Sequence, residues 1–228
     1  MRKDLDISAY LVVGPENTMG RPVSDVIAQA LRAGFTCVQI RSKECSARDL
    51  IAYTIQAADV IAAAGKSKSV ALLVDDRLDV ALAAREAGAK VDGVHVGQTD
   101  IPVEVCRKLL GPDSIVGLSA RADEILEYVK TADMSLVDYL GVGPLHETPT
   151  KTDCGLAADG TIITKSIDDL KELVCASPVP IVVGGGVKIA DIPLVKSTGV
   201  DGFFVVSAVC GAVNPEAAAR ELVDAWRD

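Results

Sequence analysis

The stretch "TCVQIRSK" (36–43) places Gln39, Arg41 and Lys43 two residues apart at the end of an apolar run, so strand alternation puts all three on one face. The run "VALLVDD" (70–76) ends instead in the carboxylates Asp75 and Asp76, and "VDGVHVG" (91–97) is followed by Gln98 and Asp100. "SIVGLS" (114–119) ends in Ser119, and the long stretch "VDYLGVGPLHETPTKTDCGLAADG" (137–160) turns polar at Thr148, Thr150 and Lys151. Cations beside paired carboxylates suit a particular ligand. A Mg2+ ion between Asp76 and Asp100 could be bridged by a diphosphate to Arg41, Lys43 and Lys151, because Mg2+ prefers one or two carboxylates plus substrate phosphates.

Gly184, Gly185 and Gly186 end the apolar run that starts at Pro180, and Val206 and Ser207 end the run that starts at Val200. Backbone N–H groups at such strand-to-helix junctions bind phosphate, so this corner implies a second phosphorylated ligand. Each feature also has a plainer reading. Arg41 and Lys43 could be salt-bridged rim residues. Asp75 and Asp76 could cap a helix, and a glycine triplet could be a turn. His95, inside an apolar run, reads as a hydrogen-bonded core histidine, and His146 has no acid–base partner in the sequence. The chemical reading gains from convergence, since separate segments supply compatible groups.

These residues need a scaffold that gathers strand ends. Eight short runs are β-branched-rich and nearly continuous rather than alternating: 9–14, 36–41, 70–75, 91–97, 114–119, 137–143, 180–185 and 200–206. Strands buried on both faces of a parallel sheet read this way. Three of them, "VDGVHVG", "VDYLGVG" and "VDGFFVV", start with the same Val-Asp pair, as a repeated unit would. Helical patterns lie between them. Val23, Val26, Ile27, Ala30 and Leu31 form one stripe; Ile51, Ile55, Ala58 and Ala62 form another behind Ser46 as N-cap. Ala218, Leu222 and Ala225 form a third behind Asn214 and Pro215. Eight strands alternating with about eight helices predict an α/β fold, a single (β/α)8 TIM barrel of parallel strands over 1–228 with a short N-terminal extension, 1–8. An open doubly wound sheet is the alternative, but it predicts fewer strands and an early GxGxxG.

Bulk properties narrow the function classes. With 23 Lys and Arg against 32 Asp and Glu the net charge is -9 and no basic run exists, so no nucleic-acid partner is expected. No apolar run of about 18 residues exists, so no membrane span is expected. The six cysteines form no CxxC pair and no zinc-like cluster. They read as reduced thiols of a cytoplasmic protein. The partners expected are small molecules, and a homo-oligomer stays open.

The segments "VQIRSK" (38–43), "LLVDDRLDVALAA" (72–84), "DGVHVGQTD" (92–100), "VGLSA" (116–120), "YLGVGPLHETPTK" (139–151) and "VDGFFVVSAV" (200–209) together resemble the thiamine phosphate synthase family. The motifs run in family order from about residue 9 to 227. The resemblance implies a Mg2+-dependent transferase that joins hydroxymethylpyrimidine diphosphate to hydroxyethylthiazole phosphate, releasing pyrophosphate. It implies that Gln39, Arg41 and Lys43 hold the pyrimidine diphosphate and that Asp76 and Asp100 bind the metal. Ser119 and Lys151 would contact the pyrimidine or its diphosphate. Thr148 and Thr150, with Gly186, Val206 and Ser207, would hold the thiazole phosphate. Arg41, Lys43, Ser119 and Lys151 are the expected catalytic group. Asp75 stands where the family usually has asparagine; it is expected at the substrate or beside the metal. Two rivals stand beside it: a thiazole tautomerase paralogue, which shares the barrel but lacks the diphosphate cations, and, from another class, a non-catalytic sensor of thiamine phosphates.

Overall fold

A computed structural model describes residues 5–119, 124–147 and 162–228. Its eight strands are β1 (Ala9–Val13), β2 (Cys37–Ile40), β3 (Ala71–Asp75), β4 (Gly93–Gly97), β5 (Ile115–Ser119), β6 (Tyr139–Val142), β7 (Ile181–Val183) and β8 (Gly202–Val205). Each pairs in parallel with the next, and β8 returns to β1 through Ala9 opposite Phe203, which closes the barrel. The α/β TIM-barrel architecture expected from the apolar runs is therefore the one adopted.

Around it, among the described residues, run α1 (Val23–Ala33), α2 (Ala47–Ala63), α3 (Leu78–Glu86), α4 (Val103–Leu110), α5 (Ile125–Thr131), α6 (Ile167–Ala176), α7 (Ile192–Lys196), the four-residue α8 (Ser207–Cys210) and α9 (Pro215–Arg227). The α1 stripe is buried as its spacing predicts. Ser46 caps α2 by accepting from the Asp49 N–H, and Asn214 caps α9 by accepting from Ala217. The faces of α2 and α9 are rotated from the predicted stripes. In α2 the buried set is Leu50, Thr54, Ala57, Ala58 and Ile61. Thr54 can be buried because its hydroxyl donates to the Leu50 carbonyl at 2.8 Å, which removes the penalty of an unpaired polar group. In α9 the buried set is Pro215, Ala219, Leu222 and Val223.

The recurring Val-Asp pairs have a shared structural job. Each aspartate stands just before an even-numbered strand and accepts an N–H from the start of the odd strand before it. Asp92 takes Leu72, Asp138 takes Val116 and Asp201 takes Ile181, all at 2.8 Å. Thr36 Oγ1 does the same for Ala9 at the foot of β2, at 3.3 Å. These bonds pin the register at the N-terminal end of the barrel, away from the strand ends that carry the candidate chemistry.

Two apolar layers follow from strands buried on both faces. The outer layer packs barrel against helices, with Leu11, Val38, Val74, Val94, Val116 and Leu140 fully buried. The inner layer fills the barrel with Tyr10, Val12, Cys37, Leu73, Ile115, Tyr139 and Val182. Glycines make this interior possible. A Cβ on Gly117 would stand 2.2 Å from the Tyr139 ring, and one on Gly184 would stand 2.2 Å from the Phe204 ring.

Candidate active site at the C-terminal ends of the strands

The chain leaves β3 through an unusual turn. Asp76 has φ +57°, a left-handed conformation that aspartate tolerates better than most residues. Its N–H donates to the His95 carbonyl at 2.8 Å, which anchors the turn to β4. The turn sends two consecutive carboxylates in different directions. The buried Asp75 accepts from Gln39 Nε2 at 2.5 Å and pairs with Arg41, whose Nε lies 3.0 Å from Asp75 Oδ2 in an ion pair rather than an aligned hydrogen bond. Asp76 instead pairs with the ammonium of Lys43. Neither aspartate caps α3, whose N-cap is Arg77 and carries no side-chain cap. The capping reading of these residues therefore falls.

Asp100 comes to the same place from β4. Its Oδ2 accepts the Gly97 N–H at 2.7 Å, which holds the carboxyl over the strand end. Burial pushes this carboxyl above the usual carboxylate range; the Gly97 N–H opposes the shift, and the hydrogen-bonded Asp76 carboxyl adds to it. Two carboxyls that approach this closely favour a proton or a cation between them. Among the described residues no group of three or more His, Cys, Asp or Glu could hold a metal. Two facing carboxyls are the kind of donor set that Mg2+ takes, because it completes its shell with water and phosphate.

Beside this charged cluster lies a small pocket lined by Tyr10, Val12, Gln39, Arg41, His95, Ser119, Gly141, Val182, Phe204 and Val206. A chain of hydrogen bonds crosses it. Tyr10 OH meets Tyr139 OH at 2.8 Å, Tyr139 OH meets His95 Nδ1 at 2.9 Å, and His95 Nε2 meets Ser119 Oγ at 2.8 Å. Burial holds both phenols well above their ordinary range, so they act as neutral hydrogen-bonding groups. Mostly aromatic and aliphatic walls with a few fixed polar atoms suit a flat heterocycle.

The glycine corner sits at the neighbouring ends of β7 and β8. Gly185 and Gly186 have φ of +80° and +75°. The loop after β6 lies on them: the Leu145 N–H reaches the Gly184 carbonyl and the His146 N–H the Gly185 carbonyl, both at 3.0 Å. A Cβ on Gly186 would come within 2.9 Å of His146 Cβ. His146 also bonds Asp191 through Nε2 at 2.9 Å. Val206 and Ser207 stand at the start of α8, next to this corner in the barrel. Of the expected site residues, Gln39, Arg41, Lys43, Asp75, Asp76, Asp100 and Ser119 meet in one cluster of contacts and pocket walls. Gly186, Val206 and Ser207 lie at the adjoining strand ends. Thr148, Thr150 and Lys151 fall outside the described residues.

Comparison with known proteins adds a decisive observation: a family model, thiamine monophosphate synthase, matches residues 9–209. The chain belongs to the thiamine monophosphate synthase family. It is 40% identical to a thiamine-phosphate synthase of Albidiferax ferrireducens across 95% of this chain and 91% of that one. A thiamine-phosphate synthase of Corynebacterium efficiens is 38% identical, covering 98% of this chain and 96% of the relative. Among solved structures, thiamine phosphate pyrophosphorylase from Pyrococcus furiosus superposes with a TM-score of 0.77 at 29% identity, over 97% of this chain and 96% of that one.

For a thiamine monophosphate synthase barrel, the sequence reading had omitted the pocket's interior walls. Tyr10 and Phe204 sit within apolar runs and look like core; so does His95, which is hydrogen-bonded core and pocket wall at once. A usable signal was present in the tyrosines, whose hydroxyls must find partners once buried.

Proposed function

We propose that this chain catalyses the reaction of its family, joining 4-amino-5-hydroxymethyl-2-methylpyrimidine diphosphate to hydroxyethylthiazole phosphate to give thiamine phosphate and pyrophosphate. The observation that carries the reading is one juxtaposition. A largely apolar pocket walled by Gln39, His95 and Ser119 opens beside a cluster in which Arg41, Lys43, Asp76 and Asp100 converge.

On this reading the pyrimidine ring takes the pocket, with its methylene carbon toward Arg41. The bond from that carbon to the diphosphate oxygen breaks, and the electron pair leaves with the pyrophosphate. The ring amino group donates electrons into the resulting cation, and the thiazole nitrogen closes the new C–N bond with its lone pair. No protein nucleophile is needed. Arg41 and Lys43, with Lys151 from sequence, stabilise the charge that grows on the leaving group. Asp76 and Asp100 would hold a Mg2+ ion, which when bound supplies positive charge to the leaving diphosphate. The glycine corner with Val206 and Ser207, together with Thr148 and Thr150, positions the thiazole phosphate, and holding both substrates in line supplies the orientation term. Ser119, fixed by His95, contacts the pyrimidine.

Small molecules are the partners of this reading. A cytoplasmic setting agrees with the free thiols at Cys37, Cys45, Cys106, Cys175 and Cys210, and among the described residues no helix is long and apolar enough to cross a membrane. The test is a coupling assay with both substrates and Mg2+, read as thiamine phosphate formed and pyrophosphate released. Isomerisation of a thiazole phosphate without pyrophosphate release would assign the tautomerase activity instead; binding of thiamine phosphate without turnover would assign a sensor.

A further inference from the structure

Gln39 enters the pocket with an ambiguity built into its chemistry. An amide side chain offers an acceptor oxygen on one side and two donors on the other, and a half-turn exchanges them. What the pocket recognises depends on which end faces the ligand. The geometry points to Asp75 as the residue that decides this. We infer that Asp75 is a specificity-determining residue: it fixes the Gln39 amide with its carbonyl oxygen toward the pocket, so that the site selects a pyrimidine carrying an amino group over one carrying an oxo group at the same ring position. The inference rests on the pyrimidine reading of the pocket and deepens it.

The argument starts from acceptors. The Asp75 carboxylate, paired with the Arg41 guanidinium, has only acceptor oxygens to offer. Gln39 lies 2.5 Å from Asp75 Oδ1. In the reversed orientation two acceptor oxygens would meet at that distance, so Nε2 must be the end turned to Asp75. This settles an orientation that is otherwise assigned by convention. With one Nε2–H held by Asp75 the amide cannot turn over, so Oε1 and the remaining N–H keep fixed positions in the wall of the pocket. Arg41 Nε, 3.0 Å from the other carboxylate oxygen, holds Asp75 from the second side. Asp75 and Gln39 are 5% and 4% exposed, so water does not compete freely for either group.

An amino group on the ring donates to Oε1, whereas an oxo group would confront it acceptor to acceptor. Sites built around a buried hydrogen bond reject the ligand that cannot make it far more strongly than apolar pockets reject a change of size. Asparagine at position 75 would lack this effect. It offers an acceptor and a donor of its own, so Gln39 could be held in either orientation and the pocket would accept either ligand edge.

The test is a pair of dissociation constants, measured by calorimetry with Mg2+ and without thiazole phosphate. The probes are 4-amino-5-hydroxymethyl-2-methylpyrimidine diphosphate and its 4-oxo counterpart. The wild-type chain should prefer the amino compound by about 100-fold or more. Asp75→Asn should shrink that ratio by about tenfold, mainly through tighter binding of the oxo compound. A purely structural role would weaken both ligands together and leave the ratio intact; a ratio within about twofold of wild type overturns the inference. Gln39→Leu gives an independent reading should the first variant fold poorly. It removes the acceptor, leaves the Asp75–Arg41 pair, and should bring the two constants within a few-fold of each other; an undiminished amino preference overturns the inference. Failure of the functional reading looks different, because the wild-type chain then binds neither diphosphate, and the inference falls with it.

Discussion

His95 Nε2 lies 2.8 Å from Ser119 Oγ, and the absent side chain of Gly141 leaves the space in which they meet. A Cβ on Gly141 would stand 2.8 Å from His95 Cε1 and 3.2 Å from Ser119 Oγ. The neighbouring strands β4, β5 and β6 thus build one feature, a histidine held at both ring nitrogens and a serine hydroxyl fixed at the pocket wall. Gly141→Ala should fold, because its added methyl meets side chains rather than backbone, but it should push His95 and Ser119 apart. Misplacement near 1 Å in a positioned site costs about 100-fold in rate, so kcat/KM for the pyrimidine diphosphate should drop roughly 10- to 100-fold. Steady-state kinetics beside a thermal melt separates this from a folding defect. Wild-type kinetics in a well-folded Gly141→Ala chain would mean that the His95–Ser119 contact does not serve catalysis.

A second expectation concerns the facing carboxyls. Asparagine keeps the shape of each group, and at position 76 it also tolerates the left-handed backbone, whereas alanine would add conformational strain. Asp76→Asn and Asp100→Asn should therefore remain folded while losing metal affinity. Loss of metal-assisted charge stabilisation is worth several kcal/mol, so turnover should fall by about 100-fold or more at saturating substrate. The Mg2+ concentration giving half-maximal rate should rise in both. Full activity of either variant in the presence of a chelator would remove these carboxyls from metal binding.

A third expectation comes from the sequence of residues 148–151, which lie outside the described residues. Lysine is a point charge suited to a departing diphosphate, and threonine supplies a hydroxyl donor suited to a phosphate. Lys151→Ala should mainly lower kcat, since leaving-group charge grows toward the transition state. Thr150→Val should mainly raise KM for the thiazole phosphate with little effect on the other substrate. Constants for both substrates in both variants check the division. Loss of thiazole-phosphate affinity alone in both variants would show that Lys151 does not serve the diphosphate.

Sequence made the barrel legible because strands buried on both faces are continuously apolar, and the polar residues ending each run marked the face where chemistry collects. The same continuity hid the interior. Where both faces are apolar, nothing in the period separates Tyr10 and Tyr139, which point into the barrel, from Leu11 and Leu140, which point out. The α2 face was misread because Thr54 counts as polar until its bond to the Leu50 carbonyl is known. Asp75 and Asp76 shared one plain reading from sequence, as caps of the following helix. Their separation into a clamp for Gln39 and a partner for Lys43 depends on a single positive φ at Asp76, a backbone property that composition does not reveal. The Val-Asp repeats were visible as repeats, but their meaning needed strand order, because each aspartate serves the strand before its own.

Those aspartates give a last, graded expectation about stability. Asp138 Oδ2 accepts the Val116 N–H at 2.8 Å and Arg107 NH2 at 2.6 Å, and the Asp138 side chain is 8% exposed. Arg107 also donates to the carbonyls of Ser114 and Leu136. Asp201 makes the equivalent bond to the Ile181 N–H at 2.8 Å but lies exposed at the surface. Removing Asp138 leaves the buried Val116 N–H without its acceptor and takes the carboxylate from the half-buried Arg107, which together cost about 2–3 kcal/mol. Removing Asp201 forfeits the single bond from the Ile181 N–H to an otherwise exposed carboxylate, which is worth about 1 kcal/mol. Asp138→Ala should therefore lower the denaturant midpoint far more than Asp201→Ala. Both lie at the foot of the barrel, so the folded fraction of each should keep its affinity for the pyrimidine diphosphate. Equal loss of stability in the two variants would show that the strand clamp acts through its backbone bond alone, with no contribution from the Arg107 pair.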